Sequence, residues 1–400
     1  MAEILTAPSG GGRIHAFDAV RGGALLLGVA FHATMSFLPG PQIWVVRDSV
    51  SPVLGALFLT LHMFRMILFF LVAGFFGRML MERRGAGGFA RNRAKRILLP
   101  LLVFWLPLSA ALLACFIWGA AQTSGGVLSA NQPSPPAITL ATFPLTHLWF
   151  LYVLIWFYLA ALALRWISPA GLDAPIRFMA ERPFAGLLLA IPAIVAMSLN
   201  AQWIPSVGIP TPDTGLVPNS TALAAYGTAF AFGWLLNRQP SVLPAIARWW
   251  QLHLAAAVVL TAVLIVMLGG EVPVFVPEAE VARRVALALI YGCGAWCWAL
   301  GLLGAALRFL STPNATIRYC ADASYWVYLL HLPVVMALQV LVYPLAAPAI
   351  VKFLMVVAGA AIALFATYHV LVRHSRLGLW LNGRRYSWRA EKPGLEAAAT

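Results

Sequence analysis

Charged residues are scarce in this chain, and cysteine is scarcer still. Only 10% of the 400 residues are charged and 62% are hydrophobic, whereas soluble domains have about 25% charged residues. This deficit of charge excludes an ordinary soluble globular protein. The four cysteines lie in or beside apolar stretches, which favours packing over a disulfide framework. Cys293 and Cys297 are one helical turn apart, but no nearby histidine or further cysteine completes a metal site.

Apolar stretches long enough to cross a membrane recur along the chain. A transmembrane helix needs about 20 mainly apolar residues. Ten segments meet this requirement, near residues 17–38, 52–78, 97–120, 147–167, 184–204, 221–237, 252–269, 284–307, 322–345 and 349–372. The sequence therefore predicts an all-α, polytopic membrane protein with about ten transmembrane helices.

The predicted membrane domain covers residues 17–372. It lies between a short N-terminal segment, 1–16, and an exposed basic tail, 373–400. The first span is expected to stay in the mature protein, because Arg21 and His32 interrupt its apolar run and no convincing small-residue cleavage site follows.

Basic residues outnumber acidic ones, 27 to 13, and the net charge is +14. With a cytoplasmic N-terminus, 21 of the basic residues fall in inside segments and only 4 in outside loops. Cytoplasmic loops carry such an excess, so both termini are predicted to be cytoplasmic. The basic surplus thus indicates topology, and attraction to anionic lipid, rather than nucleic-acid binding.

Three loops stand out. The loops at 121–146 and 205–220 contain long stretches that are rich in Pro, Gly and Ser and have no Lys or Arg. Both loops are predicted to lie outside. We expect these two loops to shape an entrance for a polar acceptor. The inside loop at 83–96, RRGAGGFARNRAKR, is densely cationic. It is either an anchor on anionic lipid or a docking site for nucleotide phosphates, with Arg93 and Arg96 among its candidates.

Ionisable side chains are costly within a membrane and are therefore functional candidates. The first span holds Asp18, Arg21 and His32. Arg21 and His32 are eleven residues apart, which places them on one helix face about 16 Å apart along the axis. Asp18 lies one turn from Arg21 and can pair with it. The alternative makes Arg21 an interfacial arginine and His32 a hydrogen-bonded core histidine.

The second span contains His62 and Arg65, one turn apart in a deeply apolar run. Arg65 lies too deep to reach the membrane surface with its guanidinium. It therefore needs an anionic side chain, backbone carbonyls or an anionic ligand as its partner. The sequence leaves these three partners open.

Two further spans carry histidines among aromatic residues. HLWFLYVLIWFY begins with His147, followed by Trp149 and Tyr152, although such aromatics often form only an interfacial belt. DASYWVYLLHLPVV contains Tyr328 and His331, and its Asp322 and Ser324 are predicted to cap the helix start. Imidazole acts as a general base near neutral pH, which acyl transfer to a hydroxyl requires. Metal binding by the four histidines is less favoured, because no ligand spacing supports it.

Four segments, RGGALLLGVAFH, FFLVAGFFGRML, HLWFLYVL and ASYWVYLLHLP, together resemble the integral-membrane acyltransferase type 3 family. The ten-helix core of that family transfers acyl groups from cytoplasmic acyl-CoA to extracytoplasmic sugars. The segments HMFRM, RAKRILLP, HLWFL and YLLHLP look most like its glucan biosynthesis protein C branch, which is associated with succinylation of periplasmic glucans.

The resemblance implies a multi-pass protein of the bacterial inner membrane. It implies acyl-CoA, with succinyl-CoA favoured, as a cosubstrate and no permanently bound cofactor. The implied acceptor is a periplasmic glucan or another surface carbohydrate, and a homo-oligomer is left open. The extra soluble hydrolase-like domain of some relatives is not expected here, so the chain would act alone or with separate partners.

The resemblance also implies site roles. By motif, His32 would be the catalytic histidine and Arg21 the motif arginine. From position and chemistry we further predict that Asp18 acts with them, and that acyl-CoA or its acyl group binds at Arg65, His62, Arg93 and Arg96. On the same grounds, the acceptor pocket is predicted to contain His147, Trp149, Tyr152, Tyr328 and His331.

Three other functions stay open at this point. The first is an O-acetyltransferase acting on another surface polysaccharide or glycolipid. The second is a proton-coupled transporter or flippase, which buried His and Arg would also suit. The third is a structural subunit of a glucan synthase or exporter.

Overall fold

The computed structural model describes residues 15–123, 137–167, 169–383 and 385–387. No β-strand occurs within these residues; one isolated bridge joins Pro144 and Thr214. The predicted segments 1–16, 121–146 and 373–400 lie partly outside the described residues. The α-helices are α1 (His15–Thr34), α2 (Pro52–Arg93), α3 (Leu99–Thr123), α4 (Trp149–Ala163), α5 (Asp173–Glu181), α6 (Ile191–Leu199), α7 (Ser220–Leu236), α8 (Leu243–Arg248), α9 (Trp250–Met267), α10 (Val281–Phe309), α11 (Ala315–Val342), α12 (Ala349–Thr367) and α13 (Arg376–Asn382).

The predicted all-α class is confirmed, and every predicted apolar segment contains a helix. In the described part of the chain, seven helical stretches are long and apolar enough to cross a membrane. The longest, Pro52–Thr123, has 72 residues and covers two predicted segments. Segment 184–204 instead belongs to a pair of helices bent by 119°, and α7 has only 17 residues. The number of ten spans and the cytoplasmic location of both termini therefore stay predictions.

The predicted cytoplasmic loop at 83–96 is helical, so that prediction was wrong. Helix α2 continues to Arg93, interrupted only at Gly85 with φ 64° and ψ 174°, and a π-helix, Ala94–Leu98, leads into α3. Phe89 explains the difference: it is fully buried, edge-on to the rings of Tyr158 and Trp234. Glycine and arginine content suggested a loop, but a docked apolar residue holds the segment in a helix.

Asp322 and Ser324 do not cap α11, contrary to the prediction. The cap is Asn314, whose side chain accepts hydrogen bonds from the N–H groups of Thr316 and Ile317. The apolar run begins near residue 322, but the helix begins two turns earlier in a polar segment that a hydropathy criterion misses. Asp322 instead accepts a 2.6 Å hydrogen bond from the hydroxyl of Tyr386.

Part of the predicted exposed tail packs against the bundle. The Trp380 indole donates to the carbonyl of Lys95 at 2.9 Å, and the Asn382 amide donates to the carbonyl of Asp322 at 2.9 Å. Leu381 is buried. These contacts fix α13 across the end of the bundle where α2 meets α3.

Helices α2 and α7 approach each other closely. A Cβ atom at Gly74 would collide with the carbonyl oxygen of Phe230, and one at Gly233 would collide with that of Leu71. Small residues of this kind let helix backbones approach each other in membrane bundles. The contact fixes α2, which with α1, α4 and α11 forms the walls of the cavity described below.

Replacing Gly233 with alanine should lower the stability of the bundle. The added methyl group would collide with the backbone of Leu71, which cannot move aside as a side chain can. Overpacking of this kind costs about 1–3 kcal/mol or more. We expect a lower thermal unfolding temperature in detergent. Gly227→Ala, on the same helix, is the control, because its Cβ would lie an ordinary 3.5 Å from the ring of Phe157. Equal melting temperatures for the two variants would contradict the close packing.

Candidate functional site

A cavity of about 1080 Å³ runs through the bundle. On α1 its lining extends from Asp18 to His32, which corresponds to about 21 Å along the helix axis. We call one end the arginine end, lined by Arg83, Arg93 and Arg96, and the other the loop end, lined by residues of the 205–220 loop. Arg21 and His32 both line the cavity, as their spacing predicts.

Arg21 lies toward the arginine end and joins two helices. Its Nη2 is 3.2 Å from the Asp18 carboxylate, which confirms the predicted pair, and it donates to the carbonyl of Ala321 on α11 at 2.9 Å. Because Arg21 is thus tied to α1 and α11, its position is set by the bundle before any ligand binds.

Arg93 and Arg96 are also held by the protein. Arg93 Nη1 donates to the hydroxyl of Tyr158 at 3.2 Å, and Arg96 Nη1 donates to the carbonyl of Asn382 in α13 at 3.3 Å. The sequence analysis did not single out Arg83, which lines the same end. The arginine end therefore combines several guanidinium groups around one opening, an arrangement suited to phosphate oxygens.

Arg65 is buried without a partner of opposite charge. Its exposure is only 7%, and no hydrogen bond or ion pair to it is found within the described residues. Its Cζ lies 4.1 Å from the centroid of the Phe31 ring, and a Cβ at Gly28 would be 3.6 Å from its Nη1. Neither an anionic side chain nor a backbone carbonyl is thus found as its partner in the described part of the chain, and the third predicted partner, an anionic ligand, stays a prediction.

The imidazole of His32 borders the cavity toward the loop end. Its Nδ1 is buried and has no hydrogen-bond partner among the described residues. The ring centroid lies 5.1 Å from that of His331 and 5.9 Å from that of Trp44, with the Trp44 ring stacked at 13°. One ring nitrogen is therefore available to a molecule in the cavity.

The backbone around His32 is held by Gln339, a residue that the sequence analysis missed. The Gln339 amide donates to the carbonyls of His32 and Ala33, each at 3.1 Å, and its oxygen accepts the indole N–H of Trp44 at 2.7 Å. A glutamine inside an apolar helix is costly and could have been noticed for that reason. Trp44, in a connecting segment, gave no such signal.

Pro333 explains how His147 is oriented. Proline has no N–H, so the carbonyl four residues earlier, that of Leu329, loses its helical partner. His147 Nε2 lies 2.9 Å from this oxygen. A carbonyl only accepts, so Nε2 carries the proton and Nδ1 of the neutral ring is the basic nitrogen. That Nδ1 is buried and has no partner among the described residues.

His331 is oriented in the opposite sense. Its Nδ1 donates to the carbonyl of Tyr328 at 2.7 Å, which leaves Nε2 as the basic nitrogen of the neutral ring. The centroids of the His331 and His147 rings are 5.5 Å apart. Imidazoles from α1, α11 and the turn before α4 thus form a row in the cavity wall.

The two long loops meet at the loop end. Thr146 N–H donates to the carbonyl of Asp213 at 3.0 Å, and Gly215 N–H donates to that of Phe143 at 2.9 Å. Residues of both loops line the cavity, as the predicted entrance requires, although 124–136 lie outside the described residues. Partial removal from water raises the pKa of the Asp213 carboxyl above its ordinary value.

The turn that carries His147 is strained. Thr146 has φ 51°, a left-handed conformation that is a genuine outlier for a β-branched residue. Such strain persists only where the surroundings impose it and is concentrated at functional sites. Its hydroxyl Oγ1 is buried, and within the described chain it has no partner.

The remaining predicted site residues are not all at the cavity. His62, Trp149 and Tyr328 line it, and the Tyr328 hydroxyl donates to the carbonyl of His147 at 2.8 Å. Tyr152 does not line it; its hydroxyl donates instead to the carbonyl of Leu216 at 2.6 Å. Tyr152 thus contacts the 205–220 loop rather than the cavity, and its role at the acceptor stays a prediction. No group of three or more His, Cys, Asp or Glu in the described ranges is placed to hold a metal ion.

Comparison with known proteins identifies the class to which this fold and site belong. The sequence profile of the acyltransferase domain, that of the acyltransferase type 3 family, matches residues 14–371. The chain therefore belongs to this family. With its long apolar helices, it is a multi-pass membrane protein.

Relatives named Glucans biosynthesis protein C are similar over a shorter stretch. Those of Shigella boydii serotype 4 (strain Sb227) and Escherichia coli (strain SMS-3-5 / SECEC) are 31% and 32% identical over 150 residues, 36% of this chain and 36% of theirs. That of Escherichia coli (strain K12) is 30% identical over 146 residues, with the same coverage. The matched part of the chain thus spans 36% of the length of these relatives. No solved structure matches the chain.

Replacing Pro333 with alanine should release His147. The new N–H at position 333 would donate to the carbonyl of Leu329. It would then compete with Nε2 of His147 for that oxygen. In ¹⁵N spectra of histidine-labelled protein at high pH, we expect the wild-type His147 signal to report an Nε2–H tautomer and the variant to report a mixture. His147→Asn assigns the signal, and Pro107→Ala, a proline inside α3, is the control. A tautomer unchanged by Pro333→Ala would contradict the role of this proline.

Proposed function

We propose that the chain transfers an acyl group, most favourably succinyl, from cytoplasmic acyl-CoA to a hydroxyl of a periplasmic glucan. The observation that carries this proposal is the single cavity. It contains guanidinium groups at one end and the 205–220 loop at the other; His32 and Arg65, a cation without a charged partner among the described residues, lie in its wall. A donor and an acceptor that enter from opposite sides of the inner membrane would meet at His32.

The donor is proposed to bind at the arginine end. The CoA phosphates would contact Arg21, Arg93 and Arg96, while the narrower pantetheine arm extends along α1 toward His32. The position of Arg96 against α13 supports this, because that contact keeps its guanidinium at the opening. Anionic lipid is proposed to interact with the surrounding basic surface.

The acyl group would then lie between His32 and Arg65. The Arg65 guanidinium packs against Gly28, and Gly28 lies one helical turn from His32, about 6 Å along the axis. A succinyl thioester with its carbonyl at His32 would place its free carboxylate at a comparable distance, beside Arg65. A neutral acetyl group has no negative charge, so it would leave the guanidinium of Arg65 without a charged partner. The unpaired guanidinium therefore favours succinyl over acetyl.

In the proposed reaction, His32 takes the proton of the acceptor hydroxyl as its oxygen attacks the thioester carbonyl. Collapse of the tetrahedral intermediate breaks the carbon–sulfur bond, and the leaving CoA thiolate takes the proton from the imidazolium. Alternatively, the His32 nitrogen attacks first and carries the acyl group before transferring it. His62 and His331 border the same space and would contact the bound groups.

The name of the relatives supports a glucan as the acceptor. An O-acetyltransferase for another surface polysaccharide or glycolipid is the alternative within the family. A transporter or flippase would use the same cavity without covalent chemistry.

Replacing Arg65 with leucine should impair succinyl transfer more than acetyl transfer. A charge-assisted hydrogen bond contributes about 1.5–3 kcal/mol, so we expect kcat/KM with succinyl-CoA to fall about tenfold to a hundredfold more than with acetyl-CoA. Arg308→Leu, at an exposed position outside the cavity, is the control. An equal loss with both donors would exclude this role for Arg65.

His32→Ala should abolish transfer. The purified protein in nanodiscs is incubated with succinyl-CoA or acetyl-CoA and a β-glucan, and both free CoA thiol and acceptor mass are followed. His369→Ala, an exposed histidine away from the cavity, should retain activity. If the protein accepts acetyl-CoA but not succinyl-CoA, the transferred group is acetyl rather than succinyl. Full activity of His32→Ala would contradict it, and failure to bind either CoA ester would favour transport.

A further inference from the structure

The loop end of the cavity has a chemical character of its own. The described residues that line it there include Trp44, Thr146, Thr211 and Asp213, and no lysine or arginine lies among them. This wall therefore offers an aromatic face, hydroxyl groups and a carboxylate. It is unsuited to an anionic ligand and suited to a neutral one rich in hydroxyl groups.

From these features we infer that the loop end contains a binding site for a pyranose ring of the acceptor, formed by Trp44, Thr146, Thr211 and Asp213. The inference rests on the proposed function, since it names the residues that would hold the acceptor for acyl transfer. None of these four residues was singled out from the sequence.

Trp44 supplies the flat face of the site. Its indole N–H is already bound by Gln339 at 2.7 Å, so the ring is fixed before a ligand arrives. The ring lies parallel to the imidazole of His32 at a centroid distance of 5.9 Å and lines the cavity. The axial C–H groups of a pyranose pack against such a fixed aromatic face. A sugar on Trp44 would have its hydroxyl groups next to His32.

Several buried polar atoms at this end have no partner among the described residues. They include Thr146 Oγ1, His147 Nδ1 and His62 Nδ1, whose residues all line the cavity. A buried polar group without a hydrogen bond costs about 1–3 kcal/mol. Sugar hydroxyl groups both donate and accept, so a single pyranose satisfies basic nitrogens and hydroxyl oxygens together.

Asp213 completes the site from the loop. Its backbone carbonyl is bound by Thr146 N–H at 3.0 Å, which places the two residues side by side. Asp213 lines the cavity, and its carboxylate accepts hydrogen bonds from its own backbone N–H and, at a long 3.4 Å, from the Thr214 hydroxyl. Thr211 Oγ1 lies 3.4 Å from His62 Nε2. Carboxylates accept strong hydrogen bonds from sugar hydroxyl groups because the acceptor is ionised.

The test measures sugar binding without the donor. A panel of β-linked gluco-oligosaccharides is titrated into the full chain in nanodiscs, in the absence of acyl-CoA, by calorimetry. Thr146→Val and Asp213→Asn should each weaken binding about threefold to tenfold or more, as expected for one lost hydrogen bond. Thr146→Ser, which keeps the hydroxyl, and Glu271→Gln, an exposed carboxylate outside the cavity, should bind as the wild type does. Binding of succinyl-CoA should be unchanged in all four variants.

The outcomes separate this inference from the proposed function. Failure of the wild type to bind any oligosaccharide of the panel, or equal binding by wild type, Thr146→Val and Asp213→Asn, would overturn the inference even where acyl transfer occurs. Weakened binding in those two variants alone supports the site. If that result is accompanied by no acyl transfer from any donor, the sugar site stands and the proposed enzymatic reaction fails.

Discussion

The cavity is arranged around a guanidinium that is buried without a carboxylate partner among the described residues. Removing an ion from water costs several kcal/mol even after the protein relaxes, and the face of Phe31 returns about 2 kcal/mol. Arg65 is therefore held in the cavity wall with no opposite charge among the described residues to offset the rest of this cost. Its guanidinium lies against α1, where a Cβ at Gly28 would be 3.6 Å from Nη1.

The same shortage of partners explains the other features of the site. In an apolar bundle every polar group must find its partner within the protein. In this chain, two groups outside the regular helical hydrogen bonding position the side chains of the site. Pro333 frees a carbonyl that fixes the tautomer of His147. Gln339 satisfies two carbonyls beside His32 and anchors Trp44. A proline inside α11 and a polar residue in its apolar run thus orient the imidazoles that line the cavity.

The helices and many of the candidate residues could be predicted because both follow from local rules. Apolar runs marked the helices, and rare ionisable residues within them marked Arg21, His32 and Arg65. The predictions failed where tertiary contacts decide. Buried Phe89 turned an expected loop into a helix, and Trp44 meets a glutamine 295 positions away. The strain at Thr146 likewise comes from pairing between two loops, which no local pattern reveals.

Under the proposed function, recognition of donor and acceptor falls to parts of the fold with different constraints. Arg65 lies on α2, packed against α1, where any change alters the packing around Phe31 and Gly28. Asp213 and Thr211 lie on a loop, and loops tolerate substitution better than the elements they connect. On this proposal, selectivity for the acyl group would depend on the packed core and change slowly, whereas selectivity for the acceptor would depend on loop residues that vary readily. His32, between the two, would then serve different acceptors with the same donor chemistry.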